Sequence, residues 1–229
     1  MHSPDVFTSR PSRHARVWLD PLTWRAHVRS SLDPRALDVL DDWIAKGRPA
    51  VARRREEGPE DDCYLGVALS PALGKARIPF VVGSRAVTQI AAPLSLDQVI
   101  DSAPAEWQEA LRDLVVQAQR VATSFHVYGS LAWQHIARET YVTPNSDVDL
   151  LWTARDVPHI TRVLELLTGW ERDSGIRADG ELLLSDGSAV AWRELLTGHD
   201  RVLVKTDEGV TMRPSPLRAA SIAMRSKAA

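Results

Sequence analysis

Apolar residues in this chain follow two spacings, one repeating every three to four positions and one forming short continuous or alternating runs. Over 33–46 the first spacing predicts a helix: Asp33 caps it, Pro34 stands in its first turn, Leu37, Leu40 and Ile44 form a stripe, and Gly47 ends it. It recurs over 104–121, with Trp107, Leu111, Leu114, Val115 and Ala118 on one face, and over 156–168, with Ile160, Val163, Leu164 and Leu167 inward. A shorter helix follows Gly129-Ser130, where Leu131, Trp133, Ile136 and Ala137 share a face. The second spacing predicts strands at 16–19, 50–54, 64–69 and 77–82, then at 125–128, 147–152, 181–184 and 189–192. The last two meet at a tight turn through Asp186-Gly187, and Arg193 and Lys205 stand near the ends of two apolar strands. The acidic segment 56–62 reads as an exposed loop, and 90–101, rich in Ala, Pro, Leu and Ser, as a crossing between two units. Residues 1–12, polar with two prolines, are expected to be mobile, and 214–229 to form a terminal helix or remain disordered. The expectation is an α/β protein of the α+β kind, with a smaller N-terminal accessory domain over 1–92 and a larger domain over 93–229.

Composition narrows the class. A chain of 229 residues with 44% hydrophobic positions can bury one large core, or one core with a smaller annex. A net charge of -2 does not suggest a broad nucleic-acid surface. The single cysteine, Cys63, rules out an internal disulfide framework, fits a reducing cytoplasm and reads as an ordinary thiol. No apolar run approaches a membrane span and no signal core opens the chain, so a soluble cytoplasmic protein is expected.

The candidate chemistry lies between Val127 and Trp152. Asp147 and Asp149 occupy alternate positions of one predicted strand and so project to the same face, while Val148 and Leu150 enter the core. Two carboxylates so close repel unless a cation lies between them, and Mg²⁺ prefers one or two protein carboxylates completed by water and substrate phosphates. Gly129 lets a phosphate approach the backbone, and the Ser130 hydroxyl with the amides of the following helix N-terminus can hold an anion. Alone, Asp-x-Asp is commonly a solvated strand edge and Gly-Ser a turn. Joined by these flanking strands, they point to a site for a metal triphosphate with one or two Mg²⁺ ions.

These residues resemble the nucleotidyltransferase superfamily of the DNA polymerase beta type, in which an apolar residue and Gly-Ser precede a helix and an Asp-x-Asp strand. The longer string is similar to the phosphoribosyl-dephospho-CoA transferase of malonate decarboxylase, a holo-acyl-carrier-protein synthase. It runs from Arg16-Val17-Trp18-Leu19-Asp20-Pro21 through Val127-Tyr128-Gly129-Ser130-Leu131-Ala132-Trp133-Gln134-His135 and Thr143-Pro144-Asn145-Ser146-Asp147. It continues in Asp179-Gly180-Glu181-Leu182-Leu183-Leu184, Ala191-Trp192-Arg193-Glu194-Leu195 and Val202-Leu203-Val204-Lys205-Thr206, so the likeness spans nearly the whole chain. The resemblance implies a nucleotidyltransferase-like mixed sheet with helices. It also implies transfer of phosphoribosyl-dephospho-CoA from a triphosphoribosyl precursor to a serine of the apo acyl-carrier subunit, with release of pyrophosphate.

By the same resemblance Asp147 and Asp149 are the metal ligands and catalytic acids, and a third carboxylate stands on an adjacent strand. Glu181 is the first candidate for it and Asp179 the second. Arg193 and Lys205, otherwise ordinary strand-end cations, become candidates for the phosphates. Arg53-Arg54-Arg55 reads either as a solvated strand end neutralised by Glu56 and Glu57 or, with Arg54 foremost, as a grip on phosphates or an acidic carrier. His126 reads as structural, His135 as no more than grazing the pocket, and neither has metal-ligand spacing with another histidine. An enzyme transferring ordinary nucleotides, or a silent binding module of the same fold, are the alternatives.

Overall fold

A computed structural model describes residues 11–56, 58–206 and 209–218. The expectations for residues 1–10 and 219–229 lie outside the described residues. The architecture is α+β, and the chain divides into two units, one ending at Pro93 and the other beginning at Leu94.

The first unit is an antiparallel sheet in the order β4-β3-β2-β1-β5. Its strands are β1 (Arg16–Leu19), β2 (Ala50–Ala52), β3 (Asp62–Ala68), β4 (Arg77–Gly83) and β5 (Val87–Ala91). Between β1 and β2 runs α1 (Pro34–Ala45), whose N-terminus is closed by the Asp33 carboxylate accepting the Arg35 N–H at 2.8 Å. Leu40, Trp43 and Ile44 bury its inner face, and the Trp43 indole donates to the Pro49 carbonyl at 3.0 Å. Val17, Leu65, Phe80 and Val82 are buried from the sheet, and Cys63 is buried as a free thiol. The division between the units falls inside the expected crossing at 90–101, though that segment carries regular structure. Its first residues finish β5, which pairs with β1 through Val17↔Ile90 and Trp18↔Gln89. Exposed Thr88 and Gln89 interrupt the apolar run that would have marked that strand.

The remainder of that segment opens the second unit as β6 (Leu94–Ser95) and α2 (Leu96–Val99), where Ser95 and Gln98 form a reciprocal capping box. There follow α3 (Ala105–Arg120), β7 (His126–Val127), α4 (Gly129–Ala137), β8 (Val148–Thr153) and α5 (Val157–Ser174). The chain continues as β9 (Ala178–Leu183), β10 (Ala189–Ala191), α6 (Trp192–Leu196), β11 (Arg201–Lys205) and β12 (Val210–Pro214). The strands make a mixed sheet in the order β12-β11-β10-β9-β8-β7-β6. Only β8 and β9 run parallel among the described pairs, because α5 carries the chain back across the sheet between them.

One face of this sheet supplies Val148, Leu150, Trp152, Leu182, Val190, Val202 and Val204 to a core shared with Leu111 and Leu114 of α3 and Val163 and Leu167 of α5. Alternation turns Asp149 and Leu151 to the opposite face. Helix α5 runs on past the expected 168 because Trp170 is buried, its indole donating to the Ala110 carbonyl at 2.8 Å, and Gly175 at φ +69° then stops it. Trp192 opens α6 rather than closing a strand, so Arg193 stands on a short helix and not at a strand end. No helix among the described residues is long and apolar enough to cross a membrane.

Candidate active site

The site is built where β7 ends. Tyr128 is extended, Gly129 turns at φ +64°, and α4 begins there with Ser130 half-buried in its first turn. A Cβ on Gly129 would stand 1.8 Å from Oδ2 of Asp149. Glycine is therefore demanded twice, by the left-handed backbone and by the carboxylate lying against it. The Tyr128 N–H donates to the Asp149 carbonyl at 3.1 Å, which fixes the two segments in register. An anionic side chain thus rests at the positive end of a helix, a favourable electrostatic placement.

The loop from α4 to β8 is fastened by Gln134. Its side-chain oxygen accepts the N–H groups of Tyr141 and Val142, each at 2.9 Å, and its amide donates to the Ser102 carbonyl at 2.5 Å. The 143–146 turn closes on itself, with the Thr143 N–H donating to Ser146 Oγ at 2.9 Å and the Ser146 N–H to the Thr143 carbonyl. Asp147 leaves this turn one residue before β8 begins, so only Asp149 of the expected pair is inside the strand. The Asp147 carboxylate is 3.6 Å from Nε of Arg177.

Across the parallel junction Asp179 is the register partner of Asp149, and Glu181 that of Leu151. Between them Gly180 sits at φ +142°, where a Cβ would be 2.0 Å from the Leu150 carbonyl oxygen. Asp179 is half-buried and accepts the Gly180 N–H at 2.8 Å. Glu181 is 3% exposed and takes a hydrogen bond from Lys205 Nζ at 2.7 Å. Two of the expected site residues therefore meet each other across β10.

Arg193 is held at the α5–β9 junction: its Nη2 donates to Glu171 Oε1 at 2.5 Å and the Ala178 carbonyl at 2.7 Å, with the guanidinium 4.6 Å over the Trp192 ring. Arg54 is exposed in the N-terminal unit. Its neighbours are tied down, Arg53 to Glu56 at 2.5 Å and Arg55 to the Gly58 carbonyl at 2.9 Å. His126 is half-buried in β7, and His135 Nδ1 is 2.9 Å from Ser102 Oγ. Arg177 and Gln134 carry no local sequence signal that marks them as site residues. A start of β9 at residue 178 instead of 181 would have set Arg177 at the head of an active-site strand, and Gln134 is a polar residue in an apolar helix.

The carboxylates of Asp147, Asp149 and Asp179 are oxygen donors of the kind a hard cation takes. Gly129, lacking a side chain, leaves room for the Asp149 carboxylate at the start of α4. Among the described residues no group of three or more His, Cys, Asp or Glu could hold a metal by itself.

Comparison with known proteins gives a consistent picture. The family model for the phosphoribosyl-dephospho-CoA transferase MdcG N-terminal domain matches residues 12–93, and the model for its C-terminal domain matches residues 94–216. The chain is 41% identical over 218 residues to a phosphoribosyl-dephospho-CoA transferase of Xanthomonas axonopodis pv. citri (strain 306), covering 94% of this chain and 99% of that one. It is 36% identical over 213 residues to one from Bradyrhizobium diazoefficiens, covering 93% and 94%. No solved structure matches it significantly.

Proposed function

The chain belongs to the phosphoribosyl-dephospho-CoA transferase family and is an enzyme of that class, and from this premise we propose what it transfers, to what, and how. The donor is the triphosphoribosyl form of dephospho-CoA, the acceptor a serine of the apo acyl-carrier subunit of malonate decarboxylase, and the product left behind is pyrophosphate. The setting is the cytoplasm, which suits an uncrosslinked chain with one buried thiol.

The observation that carries this reading is the seat of the Asp149 carboxylate against Gly129, which brings the Gly-Ser turn and the Asp-x-Asp strand to one point. In the proposed reaction the serine oxygen forms a bond to the phosphorus nearest the ribose as the bond from that phosphorus to pyrophosphate breaks. The amides opening α4 and the Ser130 hydroxyl hold the outer phosphates. Asp147 and Asp149 would hold one or two Mg²⁺ ions, which when bound supply neutralising charge to the triphosphate and polarise the phosphate under attack. A third carboxylate accepts the serine proton. Register favours Asp179, the direct neighbour of Asp149, for that task, whereas Glu181 is buried and bonded to Lys205.

The test is the intact mass of the apo carrier subunit after incubation with the protein, Mg²⁺ and either the triphosphoribosyl precursor or ATP. A gain equal to the phosphoribosyl-dephospho-CoA group with the precursor alone is expected. A gain of adenylate with ATP would replace the donor assignment, and an unchanged carrier with verified precursor would remove the acceptor assignment.

A further inference from the structure

Two of the cations expected to meet the substrate's phosphates, both in the larger unit, are engaged within the protein. Arg193 bonds to Glu171 and the Ala178 carbonyl, and Lys205 bonds to Glu181. A polyphosphate arriving beside Asp147, Asp149 and Asp179 meets three carboxylates, and needs positive charge from the chain as well as from any metal. Arg177 stands where that charge is needed.

Its backbone is held on both sides. Gly175 ends α5 with its N–H donating to the Glu171 carbonyl at 2.9 Å, and Ile176 is buried. The Glu171 carboxylate accepts the Ala178 N–H at 2.7 Å, and the Arg177 carbonyl accepts the Val148 N–H at 2.9 Å. Arg177 therefore emerges from a fixed point between Asp147 and the head of β9. Its side chain is 64% exposed, and its contact with Asp147 is 3.6 Å, beyond hydrogen-bond length. A long, exposed ion pair of this kind is weak and easily exchanged.

We infer that Arg177 is a polyphosphate-binding residue of this site, which gives up Asp147 for the outer phosphates of the incoming substrate. The inference rests on the reading of Asp147 and Asp149 as the point of phosphate transfer. Before substrate binds, Arg177 faces the Asp147 carboxylate. On binding, a planar guanidinium can engage two phosphate oxygens at once, which is a stronger contact than the one it leaves. Arg193 then has a supporting part: through Glu171 it braces the α5–β9 junction from which Arg177 projects.

Calorimetric titration of pyrophosphate with Mg²⁺ into the full chain tests this. Arg177→Ala should weaken pyrophosphate binding by roughly tenfold or more, with the deficit shrinking as salt is raised. Arg177→Lys should retain part of the affinity, since it keeps the charge and loses the fork. In turnover, Arg177→Ala should raise the KM for the precursor with little change in kcat, the mark of an interaction made equally in the ground and transition states. Pyrophosphate affinity within about twofold of wild type in Arg177→Ala would overturn the inference alone. If the wild-type protein bound no pyrophosphate with Mg²⁺ present, the phosphate-transfer reading of the site would fall, and this inference with it.

Discussion

Gly129 meets two demands that no other residue satisfies together. Its left-handed φ of +64° penalises any Cβ, and that Cβ would overlap the Asp149 carboxylate at 1.8 Å. Gly129→Ala should cost about 1 kcal/mol or more through the backbone alone, visible as a lower melting temperature. The larger effect should be on turnover, by two orders of magnitude or so, because displacing a reacting group by about an ångström has that consequence. Loss of stability with unimpaired turnover would separate the glycine from the chemistry. At this scale the motif was legible, since Gly-Ser and Asp-x-Asp carry their spacing openly. Arg177 was not, for its position depends on how β8 and β9 pair across an intervening helix, which no local pattern reports.

At the scale of elements, the turn between β9 and β10 is held by Asp186. Its carboxylate accepts the Ser188 hydroxyl at 2.5 Å, the Ser188 N–H at 3.0 Å and Nη1 of Arg213 at 2.6 Å, so a strand from the end of the sheet is tied to that turn. The Ser188 hydroxyl first, then Arg213, lower the carboxyl from 3.8 to about 2. A carboxyl lowered in the folded state contributes stability that is complete above its unfolded value of 3.8 and is lost as pH falls through about 2. Denaturant titrations between those limits should show a decline that Asp186→Asn lacks. The group is half exposed, so the effect should be modest. The tight turn itself was readable from Asp186-Gly187, as was α1 from its Asp-Pro start. Strands β5 and β12 were hidden because exposed Thr88 and Gln89, and the mixed residues of Val210–Pro214, carry no apolar run. The early start of β9 was masked by Asp179-Gly180, which look like a turn until their pairing with β8 is known.

On the scale of the whole molecule, the two units differ in what they offer. The larger holds Gly129, Asp147, Asp149, Asp179 and Arg177, whereas Arg54 belongs to the smaller. Arg53 is fixed by Glu56 and lies 5.5 Å over the Tyr64 ring, and Arg55 is spent on the Gly58 carbonyl, which leaves exposed Arg54 as the member of the trio best placed to meet a partner. If the smaller unit serves the acidic carrier, Arg54→Glu should raise the KM for the carrier several-fold at low salt, less at high salt, and spare the KM for the precursor. A change confined to the precursor would assign Arg54 to the phosphates instead, and no change in either would return it to the solvated surface.

The parallel junction between β8 and β9 has a consequence for how the protein comes to life. Antiparallel neighbours can zip together across a short loop, but these two strands must be brought together across the 18 residues of α5. Contacts that distant in sequence are slow to form. Asp149 and Asp179 are therefore expected to become neighbours late, after the local helices and hairpins have formed.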